Sequence, residues 1–154
     1  MSGKKIIYHC YGGAHSSVTA AAIHLGKLVP HKKPTKADLL RLTLFDRQTQ
    51  EGHGQIHYYG QDEWDNEVYS LGCRNVGAPI ETMLRDVAAL LAVEDEIVFI
   101  DTLPCVNIKM RLGGYISRRL GIIALGRPIV LQGTMDAFEH LAQLVEQVKS
   151  EVCA

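Results

Sequence analysis

Hydrophobic and polar positions follow two different periods along this chain, and each change of period marks an element. Lys4 to Cys10 (KKIIYHC) is a short run rich in β-branched and aromatic side chains, the composition of a strand. It runs into Tyr11-Gly12-Gly13. Ser16 to Leu28 then carries a VTAAAIHL core that predicts a helix, with Ser16 or Ser17 as N-cap and Gly26 where it stops. Val29 to Pro34 (VPHKKP) predicts a loop, and Thr35 with Asp38 approximates a capping box ahead of LLRL, so a short second helix follows. From Gln55 to Cys73 the pattern becomes QIHYYG, QDEWDN and EVYSLGC. It predicts a β-hairpin or two edge strands, with Trp64 partly exposed near the tip.

Pro79 to Ala92 places Ile80, Met83, Leu84, Val87, Leu90 and Leu91 at helical spacing, which predicts a helix with one broad buried face. Glu96 to Asp101 (EIVFID) has four consecutive apolar residues, the mark of a strand buried on both faces, and is expected at the sheet centre. Ile108 to Leu120 predicts a basic helix in which Gly113-Gly114 calls for a bend or a close backbone contact. Pro128 to Gln132 reads as another short buried strand and Thr134 to Val152 as a closing amphipathic helix. Strands alternating with helices predict one α/β domain over residues 1–154, a three-layer sandwich whose central sheet is mainly parallel.

Composition narrows the function classes. With 47% hydrophobic and 21% charged residues the chain supports one packed core. Its net charge of -1 creates no overall field for nucleic acid or an anionic membrane, so any anion site is local. No apolar run approaches the roughly 20 residues of a membrane span and the N-terminus lacks the apolar core of a secretory signal, so a cytoplasmic protein is expected. Cysteines stand at 10, 73, 105 and 153 without a CxxC pair, which argues for free thiols rather than a disulfide framework or a zinc ribbon.

The candidate chemistry lies in Cys10-Tyr11-Gly12-Gly13-Ala14-His15-Ser16-Ser17. In parallel α/β sheets ligands bind at the carboxyl ends of strands, where a helix N-terminus offers unpaired N–H groups and a partial positive charge. Gly12 and Gly13 accommodate positive φ and close approach to an oxyanion; Ala14 and His15 continue the nest, and Ser16 and Ser17 add hydroxyls. Phosphate is the commonest anion in such a nest.

Three known loops resemble this turn. The P-loop pattern GxxxxGK[ST] puts Cys10 and His15 at its glycines, Ser16 at its lysine and Ser17 at the magnesium-binding hydroxyl; only Ser17 matches chemically. Glu96 to Asp101 also resembles a Walker B strand, which would make Asp101 a magnesium ligand. The C-x5-R-[ST] loop of cysteine phosphatases matches at Cys10 and Ser17, again with Ser16 in the cation's place. The B components of the sugar phosphotransferase system, C-x-x-G-x-[ST]-[ST]-S, match at Cys10, Gly13, Ser16 and Ser17, and imply a transiently phosphorylated cysteine. The whole chain, on YHCYGGAHSSVTAAAIHLG and DTLPCVNIKMRLGGYISRRLG, is similar to a small bacterial family with a domain of unknown function, found chiefly in spore-forming Firmicutes. That resemblance implies no activity.

Asp101, closing its strand, is a candidate general acid or metal ligand, or equally a cap for the next turn. Arg118 and Arg119, with Arg111 and Lys109, make the following segment cationic. They are candidates for the charge missing from the loop, or form a solvated helix face. His9, His15, His53 and His57 with Cys10, Cys73 and Cys105 include metal-ligand types, but only His53 and His57 share a local spacing, so no metal site is expected.

Two functions follow. One is a phosphate-recognising protein of phosphoryl-transfer or phosphatase-like type, with Cys10 as nucleophile, Asp101 as acid or metal ligand, and Gly12 to Ser17 with Arg118 or Arg119 holding the phosphate. The other is a non-catalytic binding or regulatory protein on a degenerate nucleotide-binding fold. Either takes a phosphate-containing small molecule or nucleotide. The sequence leaves the cofactor and oligomeric state open.

Overall fold

A computed structural model describes residues 3–152. Cys153 lies outside them. β1 (Lys5–Cys10) leads through the glycine turn into α1 (Ser16–His24), and α2 (Lys36–Arg41) follows the proline-rich loop. β2 (Ile56–Gln61) and β3 (Glu67–Gly72) form the hairpin, then come α3 (Gly77–Leu90), β4 (Ile97–Asp101), α4 (Ile108–Gly114) and α5 (Ile123–Val152). The sheet order is β2-β3-β1-β4. β1 pairs in parallel with β3 and β4, while β2 is an antiparallel edge strand. This is the expected mixed α/β architecture, with helices on both faces of a mainly parallel sheet.

The two cores explain the layers. Ile6 and Tyr8 point to one face, where they pack with Val18, Ala22 and Ile23 of α1 and Phe138, Leu141 and Val145 of α5. Ile7 points to the other and meets Leu71, Phe99 and the α3 residues Ile80 and Leu84. The period of two along β1 therefore separates the layers. α2 carries the expected capping box, Thr35 and Asp38 bonding each other's backbone N–H. Gly26 ends the first helical segment with φ +68. Trp64 at the hairpin tip is 46% exposed and lies under the Lys149 ammonium of α5.

Five expectations are corrected. β1, not β4, is the sheet centre; β4 is an edge strand in which only Phe99 is fully buried. A short apolar run does not reveal how many neighbours a strand has. Pro128 to Gln132 is helical, inside the 30-residue α5; Val130 and Leu131 are buried there by packing, and a short buried run has no period that distinguishes strand from helix. α3 buries only part of its apolar stripe: Met83, Val87 and Leu91 are exposed and Leu90 is 86% exposed. The N-cap of α1 is His15, with Ser16 and Ser17 already inside the helix. His53 precedes β2 in a turn, so it and His57 do not share a strand face.

Gly113-Gly114 produces close contact rather than a break. A Cβ on Gly113 would stand 2.4 Å from the Val130 nitrogen, one on Gly126 2.3 Å from the Ser117 nitrogen, and one on Gly133 2.7 Å from the Met110 nitrogen. Three glycines thus let α4 and α5 touch backbone to backbone. The helix continues past Gly114 as a π-helical turn, Tyr115–Arg119, a feature that often accompanies functional positions.

Candidate functional site

β1 sends its connection to α1 on one face of the sheet, and β3 sends its own to α3 on the other, so a crevice opens between the carboxyl ends of these neighbouring strands. The ladder continues past the strands: the Cys73 N–H donates to the Cys10 carbonyl (2.8 Å) and the Arg74 N–H to the Tyr11 carbonyl (2.7 Å). Gly13 is left-handed at φ +65, and a Cβ on it would lie 2.7 Å from the Gly72 nitrogen. Gly12 has open space where a Cβ would stand, and among the described residues of the turn only Gly13 has positive φ. One glycine, not both, is therefore required by the backbone.

The turn closes around the Cys10 sulfur. Sγ accepts the Gly13 N–H at 3.1 Å and lies 3.2 Å from Ser17 Oγ. Cys10 is 5% exposed. Ser16 Oγ lies 2.8 Å from Thr102 Oγ1; because the Thr102 proton goes to the His9 carbonyl at 2.9 Å, Ser16 is the donor in that pair. Both serine hydroxyls are thus engaged inside the protein. Ala14 is buried, and His15 caps α1 without a side-chain bond. The first helical N–H groups, at Ser16, Ser17 and Val18, have no carbonyl four residues back to bond, and they supply the dipole's positive end.

His15 points to an acid that the pattern of the sequence did not single out. Its Nε2 is 3.0 Å from Oδ1 of Asp46, a fully buried carboxylate. Ser117 Oγ donates to Asp46 at 2.8 Å, Arg118 Nε is 3.1 Å away and Arg127 Nε 2.8 Å. The Asp46 N–H donates to the Ala14 carbonyl at 3.0 Å, docking this loop onto the turn. Leu44 and Asp46 both have positive φ, at 69° and 51°, so two non-glycine residues are strained to hold the carboxylate there. Burial alone would raise the Asp46 carboxyl, but hydrogen bonds from His15, Arg127 and Ser117 outweigh it and hold it down at about 2. Two guanidiniums face one carboxylate, so the cluster is cationic beside the turn.

Of the arginines singled out in the sequence, Arg118 joins this cluster. Arg119 turns away, its guanidinium over the Tyr115 ring at 5.9 Å, and Arg111 is exposed. Asp101 lies on the strand next to β1, in register with His9. Its side chain is 45% exposed, with Oδ1 accepting the Leu103 N–H at 2.9 Å and standing 3.9 Å from His9 Nδ1. It thus keeps company with His9, while its neighbour Thr102 touches the turn. His9 Nε2 is 3.3 Å from Glu81 Oε2 of α3. Burial, with Cys10, Asp101 and Glu81 nearby, pushes the Cys73 thiol up to about 11, and burial and Asp101 raise that of Cys105. Among the described residues no three His, Cys, Asp or Glu side chains converge as metal ligands.

Asp46, Thr102, Ser117, Arg127 and Glu81 escaped the sequence reading. Asp46 sits in an aperiodic loop, and Arg127 precedes the short buried run Pro128 to Gln132, so neither carries a local signal. The one available signal was His15, an imidazole inside the turn that needs a partner.

A family model described as a protein of unknown function (DUF3189) matches residues 5–150. No curated protein and no solved structure matches the chain. Among the described residues no helix is long and apolar enough to cross a membrane.

Proposed function

The chain belongs to the DUF3189 family of proteins of unknown function, and we propose that it binds the phosphoryl group of a small phosphate-containing molecule over the 10–17 turn and accepts it on Cys10. The observation that carries this reading is the Cys10 sulfur. It sits at the N-terminus of α1, receives the Gly13 N–H, and has the Ser17 hydroxyl at 3.2 Å, an arrangement that fixes the sulfur at the positive end of the helix dipole. The cation that the related loops place at Ser16 is supplied in space by Arg118 and Arg127, held by Asp46 beside His15. The Gly12 and α1 N–H groups receive the equatorial oxygens, and Arg118 offsets their charge.

The chemistry is a displacement at phosphorus. The Cys10 thiolate forms an S–P bond as the ester P–O bond breaks, and the leaving alkoxide takes a proton. Water then forms a P–O bond as the S–P bond breaks, releasing phosphate and restoring the thiolate. Hydrolysis of the P-loop type is no part of this reading, because no lysine reaches the β and γ phosphates from position 16.

Incubation with phenyl phosphate, acid quenching and mass spectrometry should find a phosphate adduct on Cys10 that Cys10→Ser abolishes. An adduct on another residue, or none, counts against it. One observation favours the passive alternative, a regulatory anion site: Cys10 is nearly buried and both serine hydroxyls are engaged. Phosphate binding by calorimetry without any adduct would select that alternative.

A further inference from the structure

The corner where α4 turns into α5 holds a run of apolar side chains in water. Residues 119–125 (RLGIIAL) are all exposed, Leu120 at 51%, Ile122 at 44%, Ile123 at 41% and Leu125 at 62%. Ile108, Leu112 and Tyr115 recur at helical spacing along α4 and its π-helical turn, and they are exposed too. The helix pair has no freedom to rotate them inward. Met110, Gly113 and Ser117 occupy the inner face, where the glycine contacts hold α4 against the backbone of α5. A contiguous apolar surface of this kind marks a place where something else docks.

The charge around this corner has one sign. From Thr102 to Met135 the chain carries five cationic and no acidic side chains, although it holds 16 cationic and 17 acidic residues in all. Three of the five are answered from elsewhere in the fold: Lys109 by Asp136 at 2.7 Å, and Arg118 and Arg127 by Asp46. Arg111 and Arg119 are exposed and form no ion pair among the described residues, Arg119 lying over the Tyr115 ring at 5.9 Å. Aliphatic tips bordered by unanswered guanidiniums match a bilayer with anionic headgroups, where the apolar groups enter the acyl boundary and the cations stay among the phosphates. A second copy is a poorer match, because a two-fold contact would set Arg111 and Arg119 against their own counterparts with no acid in residues 102–135 to answer them.

We propose that the α4–α5 corner docks on an anionic lipid bilayer, with Leu120, Ile122, Ile123 and Leu125 entering the interface and Arg111 and Arg119 at the headgroups. The contact is peripheral, since no described helix is long and apolar enough to cross a membrane. Its attraction is local and short-ranged: the chain as a whole carries a net charge of -1, and salt screens exposed charges beyond about 8 Å at physiological strength. The surface stands independently of the phosphoryl-transfer reading, yet it adjoins the glycine turn. One π-helical turn sends Ser117 and Arg118 inward to Asp46 and holds Tyr115 and Arg119 outward, and a Cβ on the preceding Gly114 would stand 3.1 Å from the His15 ring.

Co-sedimentation with vesicles tests the surface. The unsubstituted chain should pellet with equimolar phosphatidylcholine and phosphatidylglycerol at least about tenfold more tightly than with phosphatidylcholine alone, and added salt should release it. Ile122→Asp combined with Ile123→Asp, both at exposed positions, should keep the native Tm and lose about tenfold or more in binding. Arg111→Gln and Arg119→Gln should each cost about fivefold on the anionic vesicles. Leu90→Asp, equally exposed but on α3, should bind as the unsubstituted chain does. Equal binding to neutral and anionic vesicles, no binding to either, or binding indifferent to the isoleucine pair would overturn the proposal. So would a loss with Leu90→Asp as large as that of the isoleucine pair, which would mean adsorption without a defined face. Sedimentation velocity separates the remaining occupant: a dimer that the isoleucine pair dissociates, in protein that does not pellet with vesicles, would assign the corner to a second copy and overturn the bilayer.

Discussion

Replacing Asp46 by asparagine removes the charge that organises the side of the glycine turn. The carboxylate is fully buried and receives His15, Ser117, Arg118 and Arg127. Its displacement from 3.8 to about 2 corresponds to about 2.5 kcal/mol favouring the charged form in the folded state. Breaking a buried ion pair by removing one partner typically costs about 3–5 kcal/mol, because the remaining charges stay uncompensated. Here Arg118 and Arg127 retain partial exposure and recover some hydration, so the lower end applies, about 3 kcal/mol. At roughly 2–4 °C per kcal/mol for a domain of this size, Asp46→Asn should lower Tm by about 6–12 °C at pH 7.

The pH dependence fixes the sign. A carboxyl whose folded value lies below its unfolded value contributes stability that is complete above about pH 4 and is lost as pH falls toward 2. The stability difference between the native protein and Asp46→Asn, measured by urea unfolding, should therefore be constant from pH 7 to 5 and shrink between pH 4 and 2. A Tm within about 1 °C of native, or a difference that does not change in acid, would refute the electrostatic role of Asp46.

Gly126→Ala should destabilise by at least about 2 kcal/mol in urea unfolding despite alanine's better helix propensity, since its Cβ would meet backbone atoms of Ser117 and Gly113 at 2.3 and 2.6 Å; a stabilised variant would contradict the close α4–α5 contact. His24 is fully buried between Tyr8 and Asp62, and burial lowers it below 6.5 against the opposing Asp62 hydrogen bond. Its unfolded form therefore binds protons first, so stability should fall as pH drops below about 6.5, and His24→Gln should flatten that slope. Iodoacetamide near neutral pH should modify Cys10 before Cys73 and Cys105, whose thiols burial raises, and inorganic phosphate should slow it; peptide mapping that finds Cys10 inert in the native state removes it as nucleophile.

The local elements were legible in the residues themselves. KKIIYHC followed by a glycine turn and VTAAAIHL specifies a strand, a turn and a helix, because strand preference, the left-handed turn at Gly13 and helix propensity are properties of short segments. Thr35 and Asp38 announced their own cap for the same reason. Cys10, Gly13 and Ser17 could be linked by their spacing, since all three lie within one turn. The tertiary structure alone decided which strand is central, because β4 ends one residue short of a turn contact and has one neighbour where its apolar run suggested two. It alone converted Pro128 to Gln132 from strand to helix, through a glycine-lined contact with α4 that neither segment displays by itself. It also assembled Asp46 with Ser117, Arg118 and Arg127, residues 71 to 81 positions away along the chain. A buried charge is stabilised by whichever donors the fold carries to it, and that depends on distances in space that no local period encodes.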